Sequence, residues 1–185
     1  MAYEAYLRGR YQMNRYQLRE ALESFRLAVE RDPTWALAYV GLADGYWGVS
    51  TIYVPAAEAM PKARAAARKA LEIDPDLAEA HVSLANIQAA YDWDWAGAER
   101  ASQAAIQQMP NYANAHDWYG RFLTSMGRFE EAEAEYQRAQ ELDPLSPTIA
   151  SWASYSLYQA RRYDRAIEQA RKALELEPGF YPAHL

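Results

Sequence analysis

Five prolines recur on a nearly fixed interval. Pro33, Pro75, Pro110, Pro144 and Pro178 stand 42, 35, 34 and 34 residues apart. Each closes a helix-forming run, in the strings VERDP, LEIDP, IQQMP, QELDP and LELEP. Proline has no N–H with which to continue a helix, and it pushes the preceding residue out of the helical region. Each therefore predicts a helix end, repeated along the chain. Self-similarity at this period is the signature of stacked helical hairpins, each of which buries its apolar face against its neighbours.

Inside each period the same residue types return. The first repeat has Gly9, Ala21, Phe25 and Ala28; the second opens with Tyr39, Leu42, Ala43 and Tyr46; the third has His81, Leu84 and Ala85. The fourth carries His116, Tyr119, Gly120, Gly127, Phe129, Ala132, Tyr136 and Ala139, and the fifth Tyr163, Ala166, Ala170 and Ala173. Small residues mark close helix crossings, and aromatics fill the gaps beside them. That use accounts for an aromatic content of 14%, with six Trp and fifteen Tyr. The repeats run over about 2–35, 36–77, 78–112, 113–146 and 147–180, in a single domain of 185 residues. The second holds eight extra residues, near 50–61. There Pro55 reads as a helix start, Pro61 as a kink or restart, and 62–74 as the second helix. Ile52, Tyr53 and Val54 lie in an apparent loop, where they either fold back over a groove edge or meet a partner. The third repeat has one extra residue, at 91–95, where Asp94 reads as an N-cap. Residues 181–185 match the opening of a sixth, truncated repeat, which leaves Ile167, Ala170 and Leu174 on an uncovered helix.

The pattern aromatic-x2-Leu-Gly-x2-Tyr, then Ala-x3-aromatic, then Pro, resembles the tetratricopeptide repeat over essentially the whole chain. The resemblance implies an all-α right-handed superhelix, an α-solenoid of about five helix-turn-helix repeats plus the start of a sixth. The strings at 5–15, 39–48, 91–100 and 141–147, with the proline-bearing insertion, are similar to repeat regions of multidomain bacterial signalling proteins. Those regions are joined to a serine/threonine kinase, an adenylate cyclase or a winged-helix regulator. A regulatory or scaffold module is implied, with no catalytic residue to carry over. In this family the first helix of each pair lines a concave groove. The groove positions here are Tyr6, Arg10 and Asn14, then Asp44 and Trp47, then Asn86, then Asp117, Trp118 and Arg121, and finally Trp152, Tyr155 and Tyr158. Val40, Glu79, Ser83, Ser125 and Ser151 lie on the same faces. One subclass grips a peptide carboxylate with Lys, Asn and Arg. In this sequence those positions read Tyr6, Arg10, Gly41, Glu79 and Ser83, and one repeat on Val40, Asp44, Ser83, Asn114 and Trp118, so the clamp is missing. What remains is a mixed groove, more aromatic toward its C-terminal end, where Arg121 is free to pair with an acid of a ligand.

Net charge of −6 and a pI near 5.1 argue against broad nucleic-acid binding, which needs a basic face. There are no cysteines, hence no disulfide and no thiolate metal site. No apolar run reaches the roughly 18 residues of a membrane span. His81, His116 and His184 share one repeat position, which argues packing and no metal. Asp92 and Asp94 flank a Trp in a hairpin loop, where capping and solvent explain them better than catalysis. Glu130, Glu131, Glu133 and Glu135 suit the start of a solvated helix, favoured by its dipole. The expectation is a cytoplasmic, non-enzymatic module that binds a protein or peptide in its groove, without a cofactor. The alternative is self-association, a homodimer formed through the uncapped C-terminal end.

Overall fold

In the computed structural model residues 1–180 are described, apart from the side chain of Asn14. The expected start of a sixth repeat at 181–185, and His184 within it, lie outside the described residues. Among the described residues ten α-helices follow one another: α1 Ala2–Asn14, α2 Leu18–Arg31, α3 Ala36–Ser50, α4 Ala56–Ile73, α5 Ala78–Ile87, α6 Trp95–Gln108, α7 Ala113–Ser125, α8 Phe129–Leu142, α9 Pro147–Gln159 and α10 Tyr163–Leu176. No strand occurs among the described residues. Consecutive helices pair as five hairpins: α1 with α2, α3 with α4, α5 with α6, α7 with α8, and α9 with α10. The chain divides into two compact units, Met1–Gln108 and Met109–Leu185. The first holds three hairpins and the second holds two.

The periodic prolines act as local physics requires. Asp32, Asp74, Asp143 and Glu177 each precede one, and each is extended, with φ between −134° and −145°. A turn follows in all five places. The backbone N–H groups of Trp35, Leu77, Tyr112, Ser146 and Phe180 donate to the carbonyls of Asp32, Asp74, Met109, Asp143 and Glu177. Asp32 and Asp74 reinforce their turns, accepting from the N–H of Thr34 at 3.0 Å and of Asp76 at 3.2 Å.

Small residues let the second helix of each hairpin lie close to the first. Ala21 and Ala28 of α2, Ala63, Ala67 and Ala70 of α4, Ala98 and Ala105 of α6, Ala132 and Ala139 of α8, and Ala173 of α10 are fully buried. Between α1 and α3 the Phe25 ring of α2 fills the space left by two glycines. A Cβ on Gly9 would stand 2.6 Å from that ring, and one on Gly41 would collide with it too.

The extra residues of the second repeat form mostly helix. α3 reaches Ser50, and α4 runs unbroken from Ala56 through Pro61 to Ile73, starting earlier than the expected 62. Pro61 lies in the second turn, where it withholds one hydrogen bond near the helix start without ending the helix. The short connection folds back onto α2: Val54 joins Leu18, Leu22 and Val49, and Arg19 lies over the Tyr53 ring at 4.3 Å. The single extra residue of the third repeat is taken up by a π-helical turn, Gln88–Asp92, the usual way a helix absorbs one insertion. Asp94 then caps α6, accepting from the N–H of Gly97 at 2.9 Å.

Candidate functional site

The first helices of the unit Met1–Gln108 carry a polar face. Asp44 of α3 accepts from the Ser83 hydroxyl of α5 at 2.8 Å. Burial raises the Asp44 carboxyl to about 6, while the Ser83 bond and the Arg10 charge partly offset that rise. Arg10 is exposed and donates to the Tyr6 hydroxyl at 3.3 Å. Tyr6 belongs to the core: it is buried, with ring centroids 5.0 Å from Trp35 and 5.9 Å from Phe25. Trp47 is half-buried against Ala43, Met60 and Ala63. Asn86 is half-buried, and Asn14 ends α1. One turn before Ser83, the Glu79 Oε2 is buried with no hydrogen-bond partner in the protein.

The unit from Met109 carries an aromatic stack. The Arg121 guanidinium of α7 lies 4.1 Å from the Trp118 ring centroid and 4.4 Å from that of Trp152 on α9. It also pairs with Asp117, four residues back. Asp117 is 1% exposed. Burial raises its carboxyl above the ordinary range, and Arg121 pulls it back down. Arg121 therefore already has its acid within the chain. The Asp117 Oδ1 and Arg121 Nε are buried without hydrogen-bond partners in the protein. Beyond the stack, Trp152 meets Tyr155 edge-on at 5.6 Å, and Tyr158 lies 5.8 Å from Tyr163. Trp152, Tyr155 and Tyr158 are exposed. The structure thus brings Asp117, Trp118, Arg121, Trp152 and Tyr155 together. Stacking between two tryptophans of different helices has no signature in residue spacing.

The histidines have a shared task. His81 Nε2 lies 2.9 Å from the carbonyl of Pro75, and His116 Nε2 lies 3.0 Å from that of Pro110. In the third and fourth repeats, then, the ring ties the start of a first helix to the turn before it. His116 also meets Glu135 at 2.6 Å through Nδ1. That carboxylate first, and the Pro110 carbonyl second, raise the imidazole above its ordinary value despite burial. Among the described residues no group of acidic or histidine side chains is arranged to hold a metal ion.

The tetratricopeptide repeat family profile matches residues 94–151. Solved structures agree over the whole chain. A thermophilic tetratricopeptide protein of Thermus thermophilus superposes with a TM-score of 0.82 at 21% identity, covering 100% of this chain and 95% of that one. YrrB, a tetratricopeptide protein with an unusual peptide-binding site, gives 0.60 at 21% identity, covering 100% and 90%. The protein pilF of Pseudomonas aeruginosa gives 0.65 at 20%, covering 94% and 75%. With the five hairpins and their proline turns, these show a fold of stacked tetratricopeptide-type hairpins, and residues 94–151 match the family profile itself. A curated relative, the protein O-mannosyl-transferase Tmtc1 of Drosophila melanogaster, is 34% identical over 102 residues. The match takes in 54% of this chain but spans only 12% of that protein's length.

Proposed function

We propose that the chain is a non-catalytic protein-interaction module that captures a peptide or protein segment on the first-helix face of Met109–Leu185. The observation carrying this reading is the Trp118–Arg121–Trp152 stack continued by Tyr155. A guanidinium held between two indoles is rigid and already paired, so the rings beside it are presented without further ordering. Exposed Trp and Tyr supply apolar area together with a polar tip, which suits an apolar or proline-rich segment. The peptide-binding site named for YrrB lends the reading support at the level of the fold. Peptides selected by display against the intact chain test it. Replacing Trp152 and Tyr155 by Ala is expected to weaken the selected peptides about tenfold or more, with helical content unchanged. Equal binding by the variant removes this face from the function.

The wider setting belongs to the same proposal: a regulatory part of a bacterial signalling protein, acting in the cytoplasm and not on nucleic acid. The resemblance of 5–15, 39–48, 91–100 and 141–147 to such proteins supports it, as does the net charge of −6. Reading the whole frame that encodes these repeats decides it. An attached kinase, cyclase or DNA-binding regulator supports the setting, and a frame with none of them removes it.

A second reading is self-association through the outer face of α10. On α8, Glu133 pairs with Arg162 and Arg165. One 34-residue period on, Ile167 stands in its place and is 51% exposed.

A further inference from the structure

In Met1–Gln108 the turns joining the first and second helix of each hairpin carry large side chains that face water. Tyr16 is 68% exposed, Ile52 66%, Tyr53 43% and Trp93 71%. Two of them sit in a backbone conformation that opposes them. Tyr16 has φ 57° and Trp93 φ 58°. This is the left-handed position after a helix end, where glycine is favoured because a Cβ is strained there. The α7–α8 turn uses Gly127 here, at φ 72°, and the α9–α10 turn uses Arg161, at φ 60°, whose side chain is polar. Neither Tyr16 nor Trp93 recovers the strain by burying its ring. Trp93 meets the Trp95 ring edge-on at 5.4 Å, yet it and Tyr16 both stay largely exposed, and strain kept at an exposed bulky side chain points to function.

The turns form one edge. α1 lies beside α3 and α3 beside α5, so their C-terminal ends come together. Contacts link each turn to the next: Arg19 covers Tyr53, while Arg64 of α4 pairs with Asp92 and lies 5.9 Å over the Tyr91 ring. The charges along the edge are uneven. Arg15 and Arg19 lie over the faces of Tyr11 and Tyr53. Of the nearby acids, Asp92 pairs with Arg64, Asp94 caps the start of α6 and Glu58 pairs with Lys62 at 3.0 Å.

We propose that this edge is a peripheral membrane contact, in which Tyr16, Ile52, Tyr53 and Trp93 enter the headgroup layer and Arg15 and Arg19 meet lipid phosphates. Tyr and Trp seat at that level because each has an apolar body and a polar tip. Separate tips along one edge suit a flat, deformable surface, whereas a bound peptide needs a continuous trough. Among the described residues no helix is long and apolar enough to cross a bilayer, so the contact is shallow. Anionic lipid strengthens it through the two guanidiniums.

The intact chain is sedimented with phosphatidylcholine vesicles, with and without phosphatidylserine, and its tryptophan emission is read with brominated lipid. The wild type is expected to pellet, more so with phosphatidylserine, and to be quenched. The double variant Tyr16→Gly/Trp93→Gly is expected to lose about tenfold or more in partition coefficient and most of the quenching. Its Tm is expected to rise, because glycine relieves both turns, a change that rings needed for packing would not give. Arg15→Gln/Arg19→Gln is expected to remove the preference for phosphatidylserine, and a preference that survives in this variant overturns the role of the two guanidiniums. No vesicle binding by the wild type, as when the rings serve a protein partner instead, overturns the proposal. Undiminished binding or a lowered Tm in the double glycine variant also overturns it.

Discussion

Asp44 and His116 are both held above their ordinary proton affinities, for unlike reasons. Asp44 is raised because its carboxyl is enclosed, with Ser83 and Arg10 offsetting only part of the burial. The folded state therefore binds a proton that the unfolded state has lost, between pH 3.8 and about 6. Stability contributed by Asp44 falls as pH rises through that window and does not return above it. Asp44→Asn is expected to flatten this limb and to stabilise the chain at pH 7 by roughly 1–3 kcal/mol, read from urea midpoints against pH. His116 faces two acceptors, the Glu135 carboxylate and the Pro110 carbonyl, with Arg138 nearby opposing the charge. The imidazolium donates to both, whereas neutral imidazole donates to one. Its contribution is complete below about pH 6.5 and is lost as pH rises through the raised folded value. His116→Gln is expected to remove that slope and to cost about 1 kcal/mol or more at pH 6. That the histidines share one structural position was legible in the sequence, because each lies six residues after a proline; the bonds His116 makes to Glu135 and to the Pro110 carbonyl were not. The Asp44–Ser83 bond joins residues 39 apart on different helices, and no spacing within either helix announces it.

Helix ends were legible for the same reason that proline works: its constraint acts on its own residue and the one before. The N-cap at Asp94 is equally local. Of the two outcomes expected at Pro61, a restart did not occur: α4 begins five residues earlier and runs on past it, because a proline within the first two turns withholds a single hydrogen bond near the helix start. Side chains that depend on a second helix were not legible. Tyr6 and Asp117 hold groove positions in the repeat pattern, yet Trp35 and Phe25 enclose one, and the other is buried beside Arg121. Glycines make the same distinction measurable. Gly41→Ala is expected to destabilise by about 1–3 kcal/mol, since the Phe25 ring has no room to retreat. A Cβ on Gly48 meets Leu18 at 3.2 Å and the flexible end of Met13 at 3.3 Å. Those ends can yield, and alanine is the better helix former, so Gly48→Ala is expected to be neutral or stabilising by up to about 1 kcal/mol. Opposite signs in thermal unfolding check the pair, and equal losses would mean that crowding decides at both sites.

At the scale of the whole molecule, five repeated hairpins and a net charge of −6 bound what the surface can do, but repetition itself says nothing about which faces stay open. That depends on single departures from the repeat, and Ile167 is one. Where α8 uses Glu133 to hold two arginines of the following hairpin, α10 presents an aliphatic side chain, flanked by Asp164, Glu168 and Arg171. An aliphatic residue ringed by mixed charge is suited to packing against a following hairpin, or against the same face of a second copy, where each acid can meet the other copy's arginine. If α10 serves this purpose, mass measured by light scattering rises with concentration toward a dimer. Ile167→Glu then holds it at the monomer value by burying an unpaired charge in the contact, at a cost of about 2–5 kcal/mol. Trp152→Ala, on the other face of the hairpin pair, is expected to leave the mass curve unchanged. A mass constant at 21.1 kDa to high concentration ends the self-association reading and leaves capture of a segment on the Trp118–Arg121–Trp152 stack as the function to pursue.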